Sequence, residues 1–158
     1  MVPGAGDMSD GSLPSAFDIP GLGRFLFATS KSGDFYYFLC EYPRGDGGVV
    51  DILVYPEEGP FDGAYCQRVR DAVQHIVGNT VDLLAPTKSD IAEMLDVLEI
   101  PPPTSYDELF RAIKLKYVKF LADKRIELIF AECPETGWFN LNVYLDEFLR
   151  VERVQFDG

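Results

Sequence analysis

The side chains able to do chemistry near neutral pH are few in kind. The 158-residue chain has one histidine, His75, and three cysteines, Cys40, Cys66 and Cys133, against 26 aspartates and glutamates. A histidine acts as a general base or a metal ligand only where partners converge on it. His75 stands beside Asp71 and Gln74, off the apolar stripe of its helix, and reads as an exposed helix-surface side chain. Three cysteines without CxxC spacing argue against a disulfide framework and against a structural zinc site. They read as small, half-buried thiols. The GxSxG elbow, the P-loop and HExxH do not occur, and Gly21-Leu22-Gly23 enters a strand rather than opening a helix, so it is no dinucleotide fingerprint. The serines lie mostly in the N-terminal stretch, in turns and at caps, where local hydrogen bonding accounts for them.

Carboxylates are therefore the only abundant chemical resource. Glu57, Glu58 and Asp62 cluster around Pro56 and Pro60 in a loop after a strand. Such a loop can offer an acid and a base, or hold a divalent ion weakly, as a carboxylate-based hydrolase would need. It can equally be a solvated connection. With this inventory the expectation is a protein that binds rather than catalyses, with no cofactor, no metal and no catalytic residue.

Charge carries more information. The formal net charge is −12. Such a surface repels phosphate backbones, which argues against direct nucleic-acid binding, and it attracts basic proteins and speeds their encounter. The charge is also uneven. From Asp82 to Phe110 seven acids face one base, a local balance of −6, and from Glu41 to Asp62 six acids face Arg44 alone, a balance of −5. From Arg111 to Arg125 the sign reverses, with six bases and one acid, a balance of +5. The sharpest feature is Asp90, Glu93, Asp96 and Glu99 on one predicted helix. Like charges three apart repel by a few tenths of a kcal/mol per pair (roughly 0.2–0.5), and the C-terminal macrodipole disfavours Asp96 and Glu99 further. Two readings stand: a surface for a partner, or a stripe neutralised in the fold by Lys114, Lys116 or Lys119.

The elements that must position these groups follow from periodicity. Residues 1–20, rich in Gly, Pro, Ser and Asp, read as a flexible lead-in, and 21–158 as one domain. Arg24 to Thr29, Phe35 to Tyr42 and Val49 to Tyr55 read as a three-stranded meander joined by short turns. Tyr65, Val69, Ala72, Val73, Ile76 and Val77 then recur at helical spacing, which predicts a helix over 63–77 with Asp62 as N-cap and Gly78 just past its end. Residues 79–87 read as a connection. Ser89 is expected to cap a second helix, whose apolar set is Ile91, Met94, Leu95 and Leu98 and which Pro101-Pro102-Pro103 stops. Ser105 and Glu108 form a capping box before a third helix, Tyr106 to Ala112. Lys114 to Leu121, Arg125 to Ala131, Trp138 to Leu145 and Phe148 to Phe156 read as a four-stranded meander. Ile126, Leu128 and Phe130 share one face, and so do Phe139, Leu141, Val143 and Leu145, opposite Trp138, Asn140, Asn142 and Tyr144. The predicted fold is α+β: an antiparallel sheet built from these two meanders, with its three helices packed on one face.

No apolar run approaches the ~20 residues of a membrane helix, and Met1 to Ser15 lacks the basic start and apolar core of a secretory signal. A cytoplasmic protein without a membrane partner is expected.

The run SYDELFRAIKLKYVKFLADKRIELIF followed by GWFNLNVYLDEFLRVERVQFDG resembles a group of small bacterial proteins encoded beside polymorphic or type VI secretion toxins. Its elements are Leu115 to Phe120 (L-x-x-V-x-F), Ile126 to Phe130 (I-E-L-x-F), Trp138 to Leu145 and the closing Phe156-Asp157-Gly158. The front half, FYYFLCEY and VVDILVY followed by a helix, is similar to the same group, so that the resemblance spans about residues 34–158. Relatives often carry a Gly-His pair in the third of these strands, whereas this chain reads Trp138-Phe139-Asn140-Leu141-Asn142. The resemblance implies an immunity protein that neutralises one cognate toxin by covering its active or substrate-binding surface. The surface candidates are Glu57, Glu58, Asp62, Asp90, Glu93, Asp96 and Glu99, with Trp138 and Tyr144, or Tyr65 and Tyr106, as aromatic anchors. An adaptor or chaperone for a secreted effector is the alternative binding role and would use an apolar groove.

Overall fold

The computed structural model describes residues 15–56, 61–121, 124–131 and 140–157. Eight strands form a single mixed sheet in sequence order: β1 (Ala16–Ile19), β2 (Gly23–Thr29), β3 (Tyr36–Pro43), β4 (Val49–Val54), β5 (Lys114–Phe120), β6 (Ile126–Ala131), β7 (Asn140–Leu145) and β8 (Val151–Asp157). Every neighbouring pair is antiparallel except β4 and β5, which run parallel with Ile52 opposite Val118 and Val54 opposite Phe120. The described helices lie in the segment between them: α1 (Gly63–Gly78), the one-turn α2 (Thr80–Leu84), a 3-10 turn (Ala85–Thr87), α3 (Lys88–Val97) and α4 (Tyr106–Ala112).

The α+β class stands, but an all-antiparallel sheet split three and four does not. The sheet is two four-stranded meanders joined by a helical crossover, and a crossover brings its two strands together parallel. The fourth strand of the first meander is β1, in a segment the composition assigned to the lead-in. The reason is visible in its partner. Phe17 pairs with Phe25, and Ile19 with Gly23, across a turn whose corner is Pro20-Gly21, closed by Leu22 N–H donating to the Ile19 carbonyl at 3.0 Å. Gly21 at φ 90° takes the position where this kind of turn requires a positive φ. Pro20 is the corner of a hairpin, not punctuation in a tail.

The core lies between one sheet face and the helices. Cys40, Ile52, Val118, Leu128 and Val143 are all buried on that face, in register from β3 to β7, and Phe25 and Phe38 are fully buried on the same face. Against it α1 buries Val69, Ala72, Val73 and Ile76 along the predicted stripe. At the β1–β3 end the packing is aromatic: Phe17 stacks on Phe25 and Phe61 at 5.1 and 4.7 Å and meets the edge of Phe38 at 5.0 Å. Cys40 is buried in this layer, and burial first, with Glu41 second, pushes its thiol pKa up to about 11.

Two boundaries shift for local reasons. The predicted connection 79–87 is mostly helical, and α3 starts at Lys88, so Ser89 lies inside the helix rather than capping it. Buried Thr87 precedes α3, its hydroxyl donating to the Leu84 carbonyl at 2.6 Å. The last strand begins at Val151, not Phe148, because Asp146 captures the turn. Its Oδ1 accepts from the amides of Phe148 and Arg150 at 2.9 and 3.0 Å, which holds its carboxyl below the usual range.

Candidate functional site

Helix α3 and the neighbouring edge strand β8 form the strongest candidate. Ile91 and Leu95 are buried in the core, four residues apart on one face, so the helix turns Asp90, Glu93 and Asp96 outward. All three are exposed, and so is Glu99 just past the helix end. Among the described residues no lysine or arginine nitrogen lies within 4.0 Å of any of these four carboxylates. The expected neutralisation by Lys114, Lys116 or Lys119 therefore does not take the form of ion pairs. Lys88, the cation at the start of α3, turns instead to Asp107 at 3.9 Å.

The helix also exposes apolar surface. Val97 is 76% exposed and Leu98 41%. With half-buried Met94 they face Val154 and Phe156 of β8 across a groove of about 390 Å³, rimmed by Asp90 and Glu93. Sequence reasoning missed this groove. Its signal was Val97, an apolar residue outside the i, i+3, i+4, i+7 set that packs the core.

The helix ends unusually. Ile100 N–H donates to the Leu95 carbonyl at 2.9 Å and Glu99 N–H to the Asp96 carbonyl at 3.1 Å, the paired bonds of a Schellman cap. Glycine ordinarily fills the left-handed position of that motif. Here it is Glu99, at φ 58°.

The other sequence candidates do not join this site. Asp62 caps α1, its Oδ1 accepting from the Tyr65 amide at 2.9 Å, and so has a structural task. Glu57, Glu58 and Trp138 lie outside the described residues. The remaining acids of the Glu41–Asp62 region are dispersed: Arg44 Nε holds Asp46 at 2.9 Å, and Asp51 sits opposite Glu41 in the ladder. Burial, then Glu41, push the Asp51 carboxyl up, and Lys116 pulls it partly back.

Tyr144 lies on the sheet face away from the helices, as its alternation with Val143 and Leu145 predicts, and so on the far side of the sheet from α3. It is half-buried, with the Arg153 guanidinium 4.3 Å from its ring centroid. Beside it Asn142 is buried and donates to Glu127 at 3.2 Å, while its Oδ1 has no hydrogen-bond partner among the described residues. Burial first, and the Glu127 carboxylate next, raise the Tyr144 pKa. Tyr65 and Tyr106 pack against the core instead of standing free as anchors.

His75 remains exposed near the end of α1, beside a shallow concavity that it shares with Arg68, Asp71 and Glu147. The Asn79 amide nitrogen lies 3.5 Å from the His75 Nδ1 and donates to the His75 backbone carbonyl at 2.8 Å. Among the described residues no three His, Cys, Asp or Glu side chains converge as metal ligands, and no helix is long and apolar enough to cross a membrane. Comparison with protein-family models, curated proteins and solved structures finds no match to this chain.

Proposed function

We propose that this chain is an immunity-type binding protein of the bacterial cytoplasm, which captures one cationic protein toxin and covers its active or substrate-binding surface with the acidic face of α3. The observation that carries the reading is the composition of that face: four exposed carboxylates without an ion pair among the described residues, around exposed Val97 and Leu98. Unrelieved like charge on a helix is a local cost, and such costs concentrate where a surface serves a partner. Apolar side chains inside a charged rim have the anatomy of an interface, in which burial supplies affinity and charge supplies speed and selectivity. The net charge of −12 adds long-range attraction for a basic partner. The resemblance of residues 34–158 to immunity proteins points the same way.

The test is association with the toxin domain encoded by the adjoining gene. The triple variant Asp90→Lys, Glu93→Lys, Asp96→Lys is expected to weaken binding by at least about tenfold, and the wild-type on-rate to fall steeply as salt rises. Unchanged affinity in the triple variant overturns the reading.

The apolar floor of the α3–β8 groove favours a second reading, an adaptor that loads a secreted effector. The two separate on one measurement: an inhibitor abolishes the bound partner's activity, and an adaptor leaves it intact. The hydrolase alternative has lost Asp62 to a helix cap and now rests on Glu57 and Glu58, so that it requires an activity that disappears in Glu58→Gln.

A further inference from the structure

Among the described residues strand β8 ends the sheet. Alternate residues of Val151–Asp157 therefore turn their N–H and C=O groups away from β7, with no strand of the described residues beside them. Proteins blunt such edges with short strands, prolines, bulges or charged side chains. β8 is seven residues long; it has a bulge at Glu152 and charges at Glu152, Arg153 and Asp157, but Val154, Gln155 and Phe156 pair in regular register with β7 and include no proline, glycine or charge. The opposite edge, β1, is only four residues long.

The groove described above runs along this open edge. Val154 and Phe156 belong to the helix-side face of the sheet, since they pair with buried Val143 and Leu141. Met94, Val97 and Leu98 face them from α3, and Asp90 and Glu93 stand at the rim. A segment that paired with β8 would thus send every second side chain toward α3.

We propose that the α3–β8 groove receives an extended segment of the partner protein as a ninth strand. Backbone pairing along β8 holds it, apolar side chains on its groove side enter between Val97, Leu98 and Phe156, and lysine or arginine on the same side meets Asp90 and Glu93. This rests on the binding reading above and specifies how the partner is held. Charge complementarity selects the occupant. A second copy of this chain would bring the same unpaired acids and another net charge of −12 to the groove, whereas a basic segment relieves both.

The test uses the full chain and a synthetic peptide, Lys-Thr-Val-Thr-Leu-Thr-Lys, whose Lys, Val and Leu side chains share one face. A second peptide is N-methylated at those backbone amides that face β8. The first peptide is expected to slow hydrogen exchange at alternate β8 amides by about tenfold or more, and N-methylation to weaken binding by a similar factor. Protection at β1 in place of β8, equal binding by the N-methylated peptide, or a dimer that already protects β8 without peptide each overturns the proposal. If N-methylation has no effect while the Asp90→Lys, Glu93→Lys, Asp96→Lys variant still loses the toxin, strand pairing falls and the acidic-face reading stands. If the peptide protects β8 while charge reversal leaves toxin association unchanged, the groove stands and the immunity reading falls.

Discussion

The amide of Glu99 donates to the carbonyl of Asp96 at 3.1 Å while Glu99 itself holds φ at 58°. A side chain is thus kept in the left-handed region, and an anion at the negative end of a helix dipole. Both features oppose stability, and both sit at the tip of the proposed binding surface. Glycine at this position removes the contact between Cβ and the carbonyl that makes the left-handed region costly, roughly 1 kcal/mol. Glu99→Gly is expected to stabilise the protein by about that amount and raise Tm by about 3 °C. Glu99→Ala retains the backbone strain and should gain less. Thermal unfolding of the two variants checks the order, and a Glu99→Gly protein less stable than wild type would contradict it.

Asp62 separates a capping role from a catalytic one. Its carboxylate is exposed yet accepts from the Tyr65 amide at 2.9 Å. Asp62→Ala should cost about 1 kcal/mol in urea unfolding, whereas Asp62→Asn, an equally good cap, should cost little. Equal losses in both variants would mean that the charge, not the cap, is what matters.

Phe38 is the hub of the aromatic end of the core. It is fully buried, with ring centroids of Phe17, Phe27 and Phe61 at 5.0, 5.4 and 5.5 Å. Phe38→Ala should destabilise by about 3–5 kcal/mol, a large share of the roughly 5–15 kcal/mol that holds a typical domain folded. Phe38→Leu, which leaves a smaller void, should cost clearly less. The two denaturation midpoints measure the difference.

The cross-strand pair Glu41 and Asp51 predicts a pH dependence. Folding raises the Asp51 pKa through burial and the facing Glu41. A carboxyl whose pKa is raised by folding favours the folded state only in its protonated form. It costs nothing below the ordinary value of 3.8, where both states hold the proton, and becomes a penalty as pH rises through the folded pKa. Asp51→Asn removes that penalty. The variant should resist urea better than wild type at pH 7, with the advantage shrinking as pH falls toward and below 3.8. An advantage that persists unchanged at low pH would assign it to packing instead.

Local chemistry was legible in the chain itself. The spacing of Val69, Ala72, Val73 and Ile76 marked α1, Asp62 and Ser105 marked two helix starts, and alternation placed Tyr144 and Asn142 on the face opposite Val143. These signals act within a few residues, through hydrogen-bond geometry and the periods of helix and strand, so a linear reading captures them. The same reading located the acidic stripe of α3, because charges three apart on a helix are neighbours whatever the fold.

What crosses the chain was settled by tertiary structure alone. The pairing of Ile52 with Val118 makes one mixed sheet from two meanders, and it depends on how the helical layer covers the sheet, which no local pattern encodes. That assembly left β8 at an open edge, laid α3 beside it, and put Tyr144 across the sheet from the acids it was expected to join. Sequence supplied the carboxylates and the apolar Val97. Only packing, which buries one face of every element against distant partners, decided which of them meet in a groove.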